Sequence, residues 1–137
     1  MSGDRPAVGT EPIVIANTMP GKMKWNAGGK AAVWRGPVDR LDRVHATQKP
    51  IWLMQRLVGA FTPPGGSILD PFAGSGSTLV GALISDRKIV SGETTPDCTC
   101  KADNSWPLPE NVNAVGVELD REMLIHATRR VKNALDS

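Results

Sequence analysis

The sequence of 137 residues contains no tyrosine, only two cysteines and two histidines, and no apolar run long enough to span a bilayer. Cys98 and Cys100 are separated by one residue and have no further cysteine to pair with, which argues against a structural disulfide. His45 and His126 stand at no ligand spacing from them, which argues against a zinc site. The N-terminus also lacks the apolar core of a signal peptide. These absences predict a cytoplasmic protein, and the length predicts one domain at most.

Lysine and arginine are unevenly distributed along the chain. Residues 1–50 hold eight of them against four acidic residues, whereas the remainder holds eight against ten. A basic N-terminal third would favour binding to a phosphate backbone, and a solvated protein surface explains the same charge equally well.

The irregular segment 20–43 mixes cations with indoles. Cations can bind phosphates, and tryptophans can stack on nucleic-acid bases. The alternative is a loop that Trp25 and Trp34 pin to the core. The residues alone leave both interpretations open. The candidate DNA-contacting residues are Lys22, Lys24, Trp25, Lys30, Trp34 and Arg35.

The segment 68–78, Ile-Leu-Asp-Pro-Phe-Ala-Gly-Ser-Gly-Ser-Thr, precedes a further apolar run. This pattern predicts a strand, a tight loop and a helix, an arrangement that brings backbone N–H groups against a ligand. A dinucleotide fingerprint requires a third glycine at a position that Leu79 occupies. A phosphate-binding loop requires Gly-Lys-Ser/Thr, and no lysine stands between Pro50 and Lys88. The loop is therefore rich in glycine without being built for phosphate.

Three blocks of this sequence resemble the DNA amino-methyltransferases that use S-adenosylmethionine (AdoMet). Residues 70–78 are similar to their cofactor loop, Asp-Pro-Phe-Ala-Gly-Ser-Gly-Thr-Thr, and depart from it only at Ser77. Residues 43–50, Arg-Val-His-Ala-Thr-Gln-Lys-Pro, resemble the His-Pro-Thr-Gln-Lys-Pro block of the circularly permuted class. Residues 114–120, Ala-Val-Gly-Val-Glu-Leu-Asp, resemble the second strand, which ends in the ribose-binding acid. The blocks stand in the family's order, and a Gly-Lys-x-x-Trp-Asn-x-Gly-Gly run like that of residues 21–29 precedes the second block in related enzymes.

The resemblance implies an α/β fold of the Rossmann-like AdoMet-dependent methyltransferase type, with an incomplete sheet that is parallel at its first two strands. We divide the chain into an N-terminal segment, 1–43, and an AdoMet-binding portion, 44–137. Residues 91–113 have almost no apolar periodicity and are interpreted as an inserted loop. Apolar patterning predicts strands at 13–16 and 67–69 and helices at 51–61, 77–85 and 120–135.

Two of these helices have an apolar stripe that we expect to pack into the core. The stripe of helix 51–61 consists of Ile51, Met54, Leu57, Val58 and Phe61. The stripe of helix 120–135 consists of Leu124, Ala127, Thr128, Val131 and Leu135.

Two glutamates compete for the role of ribose-binding acid. In a Rossmann-type unit this acid follows the glycine turn by about 20 residues. Glu93 follows Gly76 by 17 residues and Glu118 follows it by 42. We prefer Glu118, because Val115 and Val117 give it a longer apolar strand and an amphipathic helix follows, whereas Glu93 is followed by Thr-Thr-Pro.

The resemblance assigns the cofactor site to the three blocks. Glycine would let backbone N–H groups of residues 73–77 approach the ligand closely. Glu118 would accept both ribose hydroxyls, Phe72 would cover an apolar face, and Asp70 resembles the acid beneath the cofactor. Segment 47–49 would close the methionine end, where Lys49 suits a carboxylate. The candidate AdoMet-binding residues are Thr47, Gln48, Lys49, Asp70, Pro71, Phe72, Ala73, Gly74, Ser75, Gly76, Ser77, Thr78 and Glu118.

Methyl transfer to an exocyclic amine of DNA requires acceptors that hold a flipped base. The family supplies them in an Asp/Ser/Asn-Pro-Pro-Tyr/Phe/Trp block, and this sequence has none, since Pro63-Pro64 is flanked by Thr62 and Gly65. We therefore assign no catalytic residue. The chain resembles the cofactor-binding portion of such an enzyme: a truncation, a split-gene product or a degenerate remnant.

The resemblance implies a function in site-specific DNA methylation and restriction–modification, with adenine and cytosine both open as targets. The implied partners are DNA and a second chain with the missing block, or a further copy of this chain at the exposed sheet edge. The competing hypothesis is a non-enzymatic module that binds DNA or a protein partner.

Overall fold

The computed structural model of the protein describes residues 10–18, 20–23, 25–36, 43–45, 47–84 and 111–136. Lys24, the rival acid Glu93 and both cysteines lie outside these ranges, as does most of the expected inserted loop. No helix in the described ranges is long and apolar enough to cross a membrane.

Helices alternate with strands along the described part of the chain. The elements are α1 (Ile51–Phe61), β1 (Ser67–Asp70), α2 (Ser77–Leu83), β2 (Asn113–Gly116) and α3 (Arg121–Asp136). The strands pair in parallel, with Ser67 opposite Asn113 and Asp70 opposite Gly116. This confirms the expected parallel pairing, and the described residues form an α/β structure with a small sheet.

One expected strand is not found in the described residues, and several element bounds differ by one or two residues from the expectation, among them the ends of β1 at Asp70 and of α3 at Asp136. Residues 13–16 form no strand, and the side chain of Val14 is 92% exposed because the segment has no neighbouring strand in the described ranges. Helix α2 ends at Leu83. Helix α3 begins at Arg121, because Asp120 is its N-cap: Oδ1 accepts the N–H of Glu122 at 2.8 Å and of Met123 at 3.1 Å.

Helix α1 is bounded by prolines and capped by a distant asparagine. Pro50 precedes it with a φ of −62°, a value that its ring favours. Asn26 satisfies carbonyl groups at the other end, since Nδ2 donates to Gly59 O at 3.1 Å and to Thr62 O at 2.8 Å. The N–H of Asn26 also donates to Ala60 O at 2.8 Å. The chain at Asn26 is thereby fixed to the end of α1.

The buried arc of α1 is wider than its apolar stripe, so the expected core is only partly confirmed. Gln55 is 1% exposed, and its Nε2 donates to Ile84 O at 2.5 Å, which caps the end of α2. Helix α2 approaches closely here, because a Cβ at Gly81 would lie 2.8 Å from Gln55 N. The buried residues are Gln55, Arg56, Val58, Gly59 and Ala60. The half-buried members of the expected stripe are Ile51, Met54, Leu57 and Phe61.

Helix α3 contacts the rest of the protein through a narrower face than its apolar pattern predicts. Only Ala127 of the expected stripe is buried, whereas Leu124 is 46% and Leu135 is 62% exposed. The reason is a close approach to the glycine-rich loop: a Cβ at Gly76 would lie 3.1 Å from Ala127 Cβ. A small residue is required at this contact, and the larger apolar side chains stay outside it.

The two faces of the sheet are unequally covered. Gly116 lies beneath α2, since a Cβ there would lie 2.7 Å from Leu79 Cδ1. On the opposite face, Leu69 and its pairing partner Val115 are 67% and 57% exposed. Exposed apolar pairs of this kind are typical of surfaces that other protein covers. The expected association of the sheet with further chain stays a prediction.

Candidate functional site

The glycine-rich loop between β1 and α2 is closed by its own backbone. Gly74 and Gly76 have φ values of 52° and 76°, in the left-handed region that glycine adopts without steric cost. The N–H of Gly76 donates to Ala73 O at 2.8 Å, and Asp70 Oδ1 accepts the N–H of Phe72 at 3.1 Å. The loop conformation therefore depends on glycine at two positions and on an acid at the end of β1.

The end of β2 holds this loop in place. The N–H of Val117 donates to Asp70 O at 2.9 Å, and the N–H of Ala73 donates to Val117 O at the same distance. These two bonds extend the parallel ladder beyond the strands and carry the chain directly into Glu118. A carboxylate at the end of β2 is thereby placed beside the loop that follows β1.

Glu118 binds the protein's own backbone at both carboxylate oxygens. Oε2 accepts the N–H of Gly74 at 2.7 Å, and Oε1 accepts the N–H of Asp120 at 2.8 Å. The Asp120 and Gly74 bonds lower the pKa of Glu118 below its ordinary value, because a carboxylate that accepts backbone N–H groups is stabilised in its charged form. The two oxygens of an ionised carboxylate offer about four lone-pair sites, so Glu118 can still accept a hydroxyl group.

The loop's N–H groups are less available than the sequence suggested. We expected the N–H groups of residues 73–77 to face a ligand, but three of them donate within the protein. Ala73 donates to Val117 O, Gly74 to the Glu118 carboxylate and Gly76 to Ala73 O. This expectation is therefore wrong for those three N–H groups, which brace the loop instead.

The segment around His45 forms a turn that is held by hydrogen bonds between its own residues. His45 Nδ1 lies 2.8 Å from Thr47 Oγ1, and the N–H of Thr47 donates to the same nitrogen at 3.2 Å. Gln48 is buried, and its Oε1 accepts the N–H of Val44 at 3.1 Å. Lys49 Nζ forms an ion pair with Glu11 Oε1 at the surface. An exposed pair of this kind is weak, so a ligand carboxylate can displace Glu11.

The turn, the loop and Glu118 surround one cavity of about 360 Å³, within the range of about 300–1,000 Å³ typical of small-molecule sites. Of the candidate AdoMet-binding residues, all except Pro71 and Gly76 line it. Three lining residues were not among the candidates: His45, Met54 and Met123. His45 belongs to the block that the resemblance links to the site, whereas Met54 was expected to pack into the core with the rest of its stripe. Met123 had no such signal, since its contact depends on how α3 meets the loop.

The tryptophan-bearing segment packs against the end of α1. The rings of Trp25 and Phe61 have centroids 5.0 Å apart, and Trp34 contacts the same cluster around Ala27 and Ala60. Trp25 Nε1 donates to Gly28 O at 2.5 Å. The interpretation of this segment as pinned to the core is confirmed. Both indoles are half-buried, whereas the cations Lys22 and Arg35 are exposed.

A family model described as DNA methylase matches residues 16–129. The chain belongs to this family of DNA methylases. The match includes the turn, the glycine-rich loop and Glu118, so the residues around the cavity are those that the family model covers. No solved structure gives a significant match to this chain.

Several curated relatives of this chain are named methyltransferases. It is similar to the type II methyltransferase M.BglI of Bacillus subtilis, with 34% identity over 86 residues, or 63% of this chain and 24% of that protein. It is similar to the type II methyltransferase M2.DpnII of Streptococcus pneumoniae, with 42% identity over 62 residues, or 42% of this chain and 23% of that protein. The DNA adenine methyltransferase YhdJ of Escherichia coli (strain K12) is 47% identical over 49 residues, or 36% of this chain and 17% of that protein. The matched segments thus span about a quarter or less of these relatives.

The lowered pKa of Glu118 predicts how the glycine-rich loop responds to acid. The unfolded chain protonates this glutamate near its ordinary value of 4.5, and the folded protein protonates it at lower pH. Its stabilisation of the loop is therefore fully present above pH 4.5 and is lost as the pH falls through the lowered pKa. The Gly74 amide proton, followed by NMR, should keep its shift from about pH 7 to about pH 5 and move only at lower pH. A Glu118→Gln variant should lack this step, and a Gly74 transition above pH 4.5 would contradict the assignment.

Proposed function

We propose that this chain carries the AdoMet-binding portion of a DNA methyltransferase that transfers a methyl group to an exocyclic amine. The observation that carries the proposal is the convergence of the loop after β1 and the carboxylate after β2 on one cavity. The two strands are parallel neighbours, and ligands of open α/β sheets bind at the carboxyl ends of such strands. We infer that β1 and β2 belong to a Rossmann-like sheet of which the described residues form a part.

The residues around the cavity fit the chemical groups of AdoMet. The ionised Glu118 can accept ribose hydroxyls at the lone pairs that its backbone donors leave. Phe72 is 86% exposed at the cavity, so its ring can cover the adenine face. Lys49 can pair with the methionine carboxylate in place of Glu11, and Asp70 can accept from the ammonium group. AdoMet supplies an electrophilic methyl group when bound, and these residues hold and orient it.

DNA contact is proposed for the cations of the N-terminal segment. Lys22 and Arg35 are exposed and Lys30 is half-buried. Cations at the surface suit phosphates, which dominate the affinity of proteins for DNA. Trp25 and Trp34 serve the core contact described above, so we assign base stacking to neither in the described conformation.

The target group is the exocyclic amine of adenine or of cytosine. One relative is named a DNA adenine methyltransferase, which favours adenine here as well. The competing hypothesis, a non-enzymatic module that binds DNA or protein, is not favoured, because the relatives that match are named methyltransferases.

Isothermal titration calorimetry tests the cofactor assignment directly. The protein should bind AdoMet at one site and should bind NAD no better than a buffer blank. Asp70→Ala should weaken AdoMet at least about tenfold, because it removes both a ligand acceptor and the acceptor of the Phe72 N–H. Asp136→Ala, which removes an exposed acid at the far end of α3, is the matched control and should bind as the wild type does. Binding of NAD without AdoMet would overturn the proposal.

A further inference from the structure

Arg130 of α3 reaches the back of the glycine-rich loop. Its Nη1 donates to Ser75 O at 2.7 Å, to Ser75 Oγ at 2.9 Å and to Ser77 Oγ at 3.2 Å. Ser75 and Ser77 are 5% and 6% exposed, so these contacts lie in the interior and not at the surface. Hydrogen bonds from a charged donor are stronger than neutral ones. One guanidinium nitrogen therefore ties α3 to Ser75 in the loop and to Ser77 at the start of α2.

The contact falls in the middle of the glycine-rich loop. Ser75 stands between the left-handed residues Gly74 and Gly76, and a chain with two such residues has many alternative conformations. A cation beside the N-terminus of α2 is disfavoured by the helix dipole. The oxygen cluster offsets this repulsion, and it does so only while the loop keeps the conformation in which all three oxygens face Arg130.

A second contact from the same helix lies one turn away. Ala127 packs against Gly76, where a Cβ on the glycine would come within 3.1 Å of Ala127 Cβ. Residues 127 and 130 lie on one face of α3 because their spacing is close to one helical turn. Helix α3 thus backs the loop sterically at Gly76 and by hydrogen bonds at Ser75 and Ser77.

We propose that Arg130 is a positioning residue that fixes the loop conformation needed for AdoMet binding. The inference rests on the proposed function, since it concerns the same cavity. Arg130 is absent from the residues that line the cavity, so it acts through Ser75 and Ser77, which do line it. It complements Glu118, which holds the loop from the other side at Gly74 N.

Three variants of the full 137-residue chain test the proposal. Arg130→Met keeps a long side chain without a donor, and Arg130→Lys restores a charged donor that can serve oxygens converging on one point. Arg129→Met removes the same charge from the exposed neighbouring position and is the matched control. We expect AdoMet to bind about tenfold more weakly to Arg130→Met, a loss that Arg130→Lys recovers in part, and within about twofold of wild type to Arg129→Met.

Hydrogen–deuterium exchange without ligand separates this inference from the cofactor assignment. Amides of residues 73–77 should exchange faster in Arg130→Met, while those of α1 keep wild-type protection, because the loop loosens without global unfolding. Unchanged loop exchange in Arg130→Met would overturn the positioning role, even if the wild type binds AdoMet. A second outcome is faster loop exchange in Arg130→Met than in a wild type that itself binds no AdoMet. That result would support the contact between Arg130 and the loop, and it would overturn the AdoMet assignment and the role of the loop in AdoMet binding. Arg130→Lys with the same loss as Arg130→Met would also count against a role carried by the donor.

Discussion

Replacing Glu118 by alanine should lower the affinity for AdoMet on the order of a hundredfold, because ribose acceptors and loop contacts are lost together. The carboxylate accepts the N–H of Gly74 at 2.7 Å and that of Asp120 at 2.8 Å. Its removal leaves the Gly74 N–H without its acceptor, while the Ala73 N–H still donates to Val117 O. Calorimetric titration with AdoMet measures the loss, and the exchange rate of the Gly74 amide reports the loop.

Three control substitutions make this result specific. Glu118→Gln should weaken AdoMet binding nearly as much. Its NH₂ group would face one of the backbone N–H groups that now donate to the carboxylate, and two donors cannot form a hydrogen bond. Glu122→Ala removes an exposed carboxylate from the first turn of α3 and should leave the affinity unchanged. Glu93→Ala tests the rival acid, which lies outside the described residues. Unchanged affinity in Glu118→Ala together with loss in Glu93→Ala would show that the ribose acid belongs to the other segment.

Local features of the fold could be predicted from the sequence because their causes are local. Helix α1 occupies residues 51–61 as expected, since Pro50 favours its start and Pro63 prevents its continuation. Gly74 and Gly76, close together in the sequence, predict the loop. Both adopt the left-handed conformation that only glycine tolerates freely. The parallel pairing of the strands followed from the family resemblance and is confirmed.

Contacts between distant residues could not be predicted in the same way. Gly74 and Glu118 are 44 residues apart, and Ser75 and Arg130 are 55 apart. The apolar pattern of α3 suggested that Leu124 and Leu135 pack inward, but the helix meets the loop through Ala127 and Arg130 instead. A hydrophobic pattern predicts which face is apolar; it does not predict which neighbour the described fold supplies for that face.

Long-range contacts of the tryptophan-bearing segment show that it packs against the core, and they leave its contact with DNA as a prediction. Composition alone suited both DNA contact and core packing. Trp25 lies 5.0 Å from Phe61 between ring centroids, and the Asn26 amide donates to two carbonyl groups at the end of α1. In these contacts the Trp25 indole and the Asn26 side-chain amide stabilise the fold. The DNA hypothesis for this segment accordingly rests on its cations.

Alone, this chain should transfer no methyl group to DNA, although it should bind AdoMet. The sequence holds no Pro-Pro-aromatic block that could polarise and position an exocyclic amine. Contacts of the cofactor site stabilise the ground state and the transition state equally. The contacts that a Pro-Pro-aromatic block would make to the target amine stabilise the transition state more, and they are what catalysis requires. Binding and catalysis should therefore separate in this chain. Transfer of tritiated methyl groups to DNA of mixed sequence should stay at background.

Activity should appear when a second polypeptide that carries the block is added. The product of an adjacent reading frame with this block is the natural choice, and the same polypeptide with its aromatic residue replaced by alanine is the matched control. Nucleoside analysis of the methylated DNA then distinguishes N6-methyladenine from N4-methylcytosine. The strand residues at Leu69 and Val115 should become protected from exchange in the complex, because the described residues leave both side chains exposed.

Robust methylation by the isolated 137-residue chain would show that its own residues hold the target base. The amides of residues 17–36 would then be the first alternatives, and the structure separates them. Asn26 would be a poor choice, since Nδ2 donates to Gly59 O and Thr62 O and its loss would uncap α1. Asn17 lies in an exposed segment and donates to Gly21 O at 3.1 Å within its own turn. Asn17→Ala should then abolish methylation while AdoMet binding persists, whereas loss of both functions would point to folding and not to the target amine.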